Sequence, residues 1–188
     1  MKKLILASAS PRRREIFERL GLTFCVQPSD KEPPMKDGED VETAVLNSAK
    51  AKAKDIYKKN PDALVVGADT VVVLEKKALG KPKNEEDAIN MLLSLSGREH
   101  TVMTGVYVVD SKEESGFVEK TKVKFFSLTQ KEIEDYVKTG EPMDKAGAYA
   151  LQGGALSFVE GICGDYYNVV GFPAARFVRK YERQLKND

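Results

Sequence analysis

The segment from Ala63 to Leu74 constrains the fold of this chain more than any other. It is apolar and β-branched except at Gly67-Ala68-Asp69-Thr70, and a run of that character reads as a strand held in a core. Asp69 stands where a bulky apolar residue is expected, and an unpaired carboxylate buried there would be costly. Gly67 points to a bulge or a close backbone approach, either of which re-aims the side chains that follow. Two readings of Asp69 stay open. The strand exposes it on a polar face or satisfies it with a backbone hydrogen bond; or it works in a cleft, as a base for water or as a ligand for a divalent cation.

Caps and periodicity supply the surrounding elements. Lys3 to Ala7 reads as a buried strand, after which Ser10 as N-cap, Pro11 at the first helical position and Gly21 beyond Leu20 delimit a short helix. Thr23 to Val26 reads as a second strand, followed by a loop rich in proline and charge, Pro28 to Asp40, that carries Glu32. Val41 to Lys59 is a helix by its period, and Glu75-Lys76-Lys77 a hairpin turn. Asn84 caps a further helix, with Glu85, Glu86 and Asp87 in its first turn and Gly97 past its end. Thr101 to Val109 and Phe117 to Leu128 alternate in polarity, which predicts a long antiparallel hairpin. Thr129 and Glu132 form a capping box for a helix ending near Gly140. A glycine-rich loop, Glu141 to Gly154, precedes two expected strands, Ala155 to Ile162 and Tyr166 to Val170, and Pro173 opens a terminal helix. The expectation is one α/β domain over residues 1–188, with a mixed, twisted sheet and flanking helices.

Composition narrows the chemistry. The 30 basic and 29 acidic residues leave a formal net charge of +1, which argues against a nucleic-acid partner, so any cationic site is local. No apolar run approaches the roughly 18 to 20 residues needed to span a bilayer, and the start of the chain lacks a signal-peptide pattern. The expectation is a cytoplasmic protein with no membrane partner. Cys25 and Cys163 match no paired spacing and are expected in the core. His100, the single histidine, is expected at a cap or on the surface, and a zinc site or histidine-activated nucleophile is disfavoured. Carboxylates, cations and metal-bound water remain.

Two further placements, the arginines of the first helix and Lys52, are odd enough to suggest a site, which Lys81 and Gln152 could join. Arg12, Arg13 and Arg14 fall in the first turn of the first helix, where the macrodipole disfavours a cation by about 0.3 to 1 kcal/mol each. A bound anion explains this placement, since free N–H groups, the Ser8 and Ser10 hydroxyls and guanidinium forks can converge on phosphate oxygens. The bland alternative is that the arginines are solvated helix formers. The segment is neither a Walker A loop nor GxGxxG. Lys52 shares the apolar face of its helix with Val41, Val45, Ala49 and Ile56, while Lys50, Lys54 and Lys58 lie opposite. Either its stem snorkels to water or its ammonium reaches an internal anion. Lys81, in Leu79-Gly80-Lys81-Pro82, could join that anion site. Gln152, before Gly153-Gly154, carries an acceptor and two donors that match the edge of uracil or thymine, although a surface-loop glutamine needs no such role. Tyr166 and Tyr167 read as core strand residues.

In this order the pieces resemble the Maf family of nucleoside triphosphate pyrophosphatases, named for septum-formation inhibition. The resemblance covers nearly the whole chain. It rests on Leu6-Ala7-Ser8-Ala9-Ser10-Pro11-Arg12-Arg13, Gly67-Ala68-Asp69-Thr70-Val71-Val72, Leu79-Gly80-Lys81-Pro82, Leu95-Ser96-Gly97-Arg98, Glu141 to Tyr149 and Gly164 to Gly171. It implies an inosine-triphosphatase-like fold, often a homodimer, that hydrolyses the α–β phosphoanhydride with a divalent cation, Mg2+ or Mn2+. Asp69 matches the catalytic acidic residue, and Ser8, Arg12, Arg13, Lys52 and Lys81 match phosphate-side positions. Glu32 matches a loop carboxylate near the site and, with Asp69, a metal-side position. Thr70, Gln152 and Arg12 match positions linked to substrate choice. The Met143-Asp144-Lys145-Ala146-Gly147-Ala148-Tyr149 segment with Gln152 is similar to the subgroup acting on dTTP and UTP. Ala150 and Phe172 depart from the family pattern. The competing expectation is a non-catalytic, nucleotide-binding regulator of cell division that uses the same anion cleft.

Overall fold

A short parallel pair begins the fold. In the computed structural model, which describes residues 2–35 and 38–186, β1 (Leu4–Leu6) pairs in parallel with β2 (Cys25–Val26) and with β3 (Leu64–Leu74). The antiparallel β4 (Lys77–Leu79) returns along β3, and β5 (Glu99–Val109), β6 (Glu114–Phe125) and β7 (Val159–Cys163) complete the order β2-β1-β3-β5-β6-β7. The expected mixed sheet and long β5–β6 hairpin are present. Helices α1 (Pro11–Arg19), α2 (Val41–Lys59), α3 (Glu85–Leu95), α4 (Gln130–Val137), α5 (Tyr166–Val170), α6 (Ala174–Lys180) and α7 (Glu182–Lys186) occupy the connections and the C-terminal region. The expected loop over Pro28 to Asp40 includes residues 36 and 37, outside the described residues.

The chain divides into two compact units. The first comprises Met1–Asp69, Thr104–Glu119 and Gly171–Asp188; the second comprises Thr70–Met103 and Lys120–Val170. In the first, Ile5, Ala7, Ala49, Ala53, Ile56, Val65 and Val109 form one core cluster. Alanine on α2 and glycine on β3 let the helix sit against the strand: a Cβ at Gly67 would lie 2.3 Å from the Ala49 carbonyl oxygen and 2.7 Å from the Ala53 nitrogen. Of the two roles expected for Gly67, close backbone approach is the one the fold uses. Phe17, Phe172, Phe177 and Tyr181 stack edge to face or tilted in the same unit, which fixes α1 and α6.

The second unit has its own core, in which Leu92, Leu95, Val123, Phe125, Ile133, Tyr136, Tyr149 and Phe158 are buried. Its caps follow the sequence closely. Asn84 accepts from the Asp87 N–H at 2.8 Å, and Thr129 and Glu132 complete the reciprocal capping box. The β3–β4 turn puts Glu75 and Lys76 at φ of 48° and 69°, the left-handed pair a two-residue hairpin demands.

Five expectations fail for tertiary reasons. Tyr166 to Val170 is helical, because Asp165 Oδ1 accepts from the Tyr167 N–H at 2.8 Å to open the turn. Asn168 Nδ2 then donates to the Val102 carbonyl and to Thr121 Oγ1, anchoring the helix. Tyr166 and Tyr167 are exposed rather than in the core. Cys25 and Cys163 are exposed too, since β2 and β7 are the two ends of the strand order. His100 is buried, its Nε2 2.8 Å from the Tyr149 hydroxyl and its ring edge-on to Phe125. Ala155 to Phe158 forms a 3-10 turn, so the last strand starts only at Val159.

Candidate active site

The parallel register places the first turn beside Asp69. Leu6 lies opposite Val66, and the Ala7 N–H donates to the Val66 carbonyl at 2.8 Å, so the chain leaves β1 for α1 alongside Gly67 to Asp69 of β3. In open α/β sheets the carboxyl ends of parallel strands are where ligands bind.

At that turn the helix start is prepared for an anion. Ser10 caps α1 by accepting from the Arg13 N–H, and Pro11 stands at the first helical position as expected. Ser8 is buried, and its Oγ accepts from the Ser10 N–H at 3.2 Å and from Arg13 Nη1 at 3.1 Å, which leaves the hydroxyl proton to be donated. Arg13 is buried as well and donates from Nε to the Gly171 carbonyl at 2.9 Å. Gly171 adopts φ 126°, a conformation that side chains disfavour, to present that carbonyl. Burial is the largest influence on the Arg13 guanidinium and draws its pKa below the ordinary value; Asp69 and Glu32 pull upward, and Arg12 pulls downward. The three arginines therefore differ. Arg13 is built into the turn, Arg12 is half-exposed beside it, and Arg14 pairs with Glu18 on the exposed side of α1.

Lys52 resolves in favour of the internal anion. It is 6% exposed, and its Nζ lies 2.7 Å from Asp69 Oδ1 and 3.2 Å from Glu32 Oε1. A buried ammonium needs such compensation. Asp69 is accordingly neither solvated on a polar face nor satisfied by backbone alone; its side chain is 28% exposed and ion-paired, while Glu32 is mostly exposed. Among the described residues no three His, Cys, Asp or Glu side chains cluster as a metal site. Asp69 and Glu32 are nonetheless brought together on the Lys52 ammonium, each through one oxygen, and a pair of neighbouring carboxylates suits a divalent cation that completes its shell with phosphate oxygens.

The remaining sequence candidates belong to the second unit. Thr70 is half-buried on β3, Lys81 is exposed just beyond β4, and Gln152 is exposed in the loop before Gly153. The Lys81 segment is tied to that loop, since the Gly147 N–H donates to the Gly80 carbonyl at 2.9 Å. Gly147, at φ 68°, packs so closely on Val72 that a Cβ would meet it at 2.8 Å. Sequence reasoning overlooked three contributors to these arrangements: the Gly171 carbonyl behind Arg13, and Tyr136 and Glu141 beside Gln152. The Gly164 to Gly171 motif carried a signal for the first, because a glycine closing a motif often marks a special backbone conformation. The other two gave none.

The mixed sheet with helices on its connections is the inosine-triphosphatase-like fold, and buried cations and an ion-paired carboxylate meet at the carboxyl ends of its parallel strands. A HAM1 protein from Coxiella burnetii has this fold, with a TM-score of 0.50 and 12% identity over 98% of this chain and 100% of that one. The chain belongs to the family described as Maf-like protein, whose model matches residues 3–184. A dTTP/UTP pyrophosphatase from Geobacillus sp. (strain WCH70) is 51% identical, with 97% of this chain and 98% of the relative covered. One from Bacillus pumilus (strain SAFR-032) is 46% identical, with 97% and 96% covered.

Proposed function

We propose that this protein hydrolyses nucleoside triphosphates between the α and β phosphates, releasing the nucleoside monophosphate and pyrophosphate, with dTTP and UTP as preferred substrates. The observation that carries the reading is the Lys52–Asp69–Glu32 ion-pair network beside the Ser8–Arg13 turn. The names of relatives at 51% and 46% identity support the substrate class and favour an enzyme over a non-catalytic regulator. The family model's span of residues 3–184 supports one catalytic domain over the chain.

In this reading Ser8 and Arg12, the latter through its side chain and its N–H, take phosphate oxygens, and Arg13 contributes charge while holding Ser8 in place. Lys52 keeps Asp69 oriented through a 2.7 Å contact. Asp69 positions or deprotonates the water that attacks the α-phosphorus; the new P–O bond forms as the bridging oxygen departs with pyrophosphate. Lys81 adds positive charge on the phosphate side, and Thr70 and Gln152 bear on base choice. Asp69 and Glu32 would hold a divalent cation, Mg2+ or Mn2+, which when bound neutralises the triphosphate.

The test is pyrophosphate release by the pure protein with Mg2+ or Mn2+ over a panel of nucleoside triphosphates, with Asp69→Asn as control. Asparagine retains an acceptor for Lys52, so folding and nucleotide binding should persist while turnover falls at least about 10²- to 10⁴-fold. Near-normal hydrolysis by the variant would remove Asp69 from the chemistry. No release by the unaltered protein from any triphosphate would return the chain to the regulator reading.

A further inference from the structure

Gln152 sits on a turn whose two ends are held by one pair of side chains. The Gly153 N–H donates to the Ala150 carbonyl at 3.2 Å, closing a tight turn with Leu151 and Gln152 at its corners. Leu151 packs toward the core of the second unit, whereas Gln152 is exposed. At one end the Ala150 N–H donates to the Tyr136 hydroxyl at 3.2 Å, and that hydroxyl donates to Glu141 Oε1 at 2.9 Å. At the other end Glu141 Oε2 accepts from the Gly154 N–H at 3.1 Å. A single carboxylate thus anchors both ends, directly and through Tyr136.

This clamp also explains the paired glycines. A Cβ at Gly153 would lie 1.9 Å from Glu141 Oε1, and one at Gly154 would lie 3.0 Å from the Tyr136 ring. The glycines let the carboxylate and the ring lie directly against the backbone. Packing alone does not demand the polar contacts, because the Tyr136 ring is already held in the core, 5.2 Å edge-to-face from Phe158. Its hydroxyl and the half-buried Glu141 are spent on the turn.

We propose that Tyr136 and Glu141 are positioning residues for base selection: they fix the Ala150–Gly154 turn so that the Gln152 side chain leaves the backbone from one place. The proposal rests on the reading that Gln152 contacts the base. A mobile turn would present Gln152 to a pyrimidine edge only after losing its backbone freedom, and a held turn avoids that part of the cost. Selectivity that depends on hydrogen bonds to a base edge is lost when the partner is misplaced.

Steady-state kinetics with dTTP, UTP and purine triphosphates, on the unaltered protein, Tyr136→Phe, Gln152→Ala and the double variant, tests this. Tyr136→Phe keeps the packed ring and removes only the hydroxyl. It should raise KM for dTTP and UTP about tenfold, leave kcat within about twofold, and leave purine triphosphate kinetics unchanged. The double variant should be no worse than Gln152→Ala alone. If Tyr136→Phe keeps the pyrimidine preference that Gln152→Ala loses, the clamp is wrong and the base contact stands. If Gln152→Ala itself keeps the preference, the base contact falls and the clamp with it. Additive losses in the double variant would also overturn the proposal, since Tyr136 would then act elsewhere.

Discussion

The surroundings of Asp69 and of Gln152 are held in opposite ways. In the first unit the strand carrying Asp69 is pressed against the α2 backbone at Gly67, and the charges near it are buried cations on short, fixed contacts. In the second unit the turn carrying Gln152 is held by hydrogen bonds from the hydroxyl of the buried Tyr136 and from the half-buried Glu141 carboxylate, which alone can rotate away. A group that must meet a reacting phosphorus gains from rigid surroundings, because small displacements cost rate steeply. In the proposed roles, Gln152 is set instead by a turn held through side-chain hydrogen bonds, one of them from a carboxylate that can rotate. The two sets of glycines differ accordingly: Gly67 faces backbone, Gly153 faces the end of a flexible side chain.

The sharpest way to break that contrast is Gly67→Ala. Its methyl would fall 2.3 Å from a helix carbonyl that cannot move alone, so α2 must shift from β3 at a cost of about 3 kcal/mol or more. Urea unfolding would measure it, and a loss under about 1 kcal/mol would mean the helix is less firmly seated than the strand contact implies.

Acid should report next on the second unit. Burial pushes the His100 pKa down to about 4 from an ordinary 6.5, with Glu99 pulling weakly the other way. Between those values the unfolded chain holds more protons than the folded one, so stability is complete above pH 6.5 and falls as the pH drops through 4. The loss should approach roughly 2 to 3 kcal/mol. Unfolding curves at pH 7 and pH 4.5 should show a smaller drop for His100→Gln than for the unaltered protein. Equal drops would assign the acid sensitivity to carboxylates alone.

The smallest effect on stability is expected at Gly153→Ala. The Glu141 carboxylate can rotate from the new methyl, so the fold should lose only about 1 kcal/mol, while the dTTP preference weakens. A destabilisation as large as that of Gly67→Ala, seen by the same urea titration, would erase the distinction between the two regions.

Much of this was legible in the chain. The Ser10, Asn84 and Thr129 caps, the left-handed Glu75-Lys76 turn and the bounds of α2 arise from local rules that neighbouring residues satisfy among themselves. Lys52 was legible for a related reason, since helical period alone puts it on the α2 face with Val45 and Ala49. Its partners were not: Asp69 lies 17 residues away and Glu32 lies 20, and whether Lys52 reached water or an internal anion stayed open until the ion pairs were seen.

The sequence by itself therefore determined where the capped helices begin, which strand carries an anomalous carboxylate and which lysine shares an apolar helix face, because those are matters of short-range backbone chemistry and of period. Only the tertiary structure decided that Tyr166 to Val170 coils into a helix anchored by Asn168, and that His100 is buried against a tyrosine 49 residues distant. It alone brought Tyr136 and Glu141 to the turn below Gln152. These outcomes depend on which strand ends meet and which polar groups find partners once the backbone has closed. No local propensity for tyrosine or valine encodes that meeting.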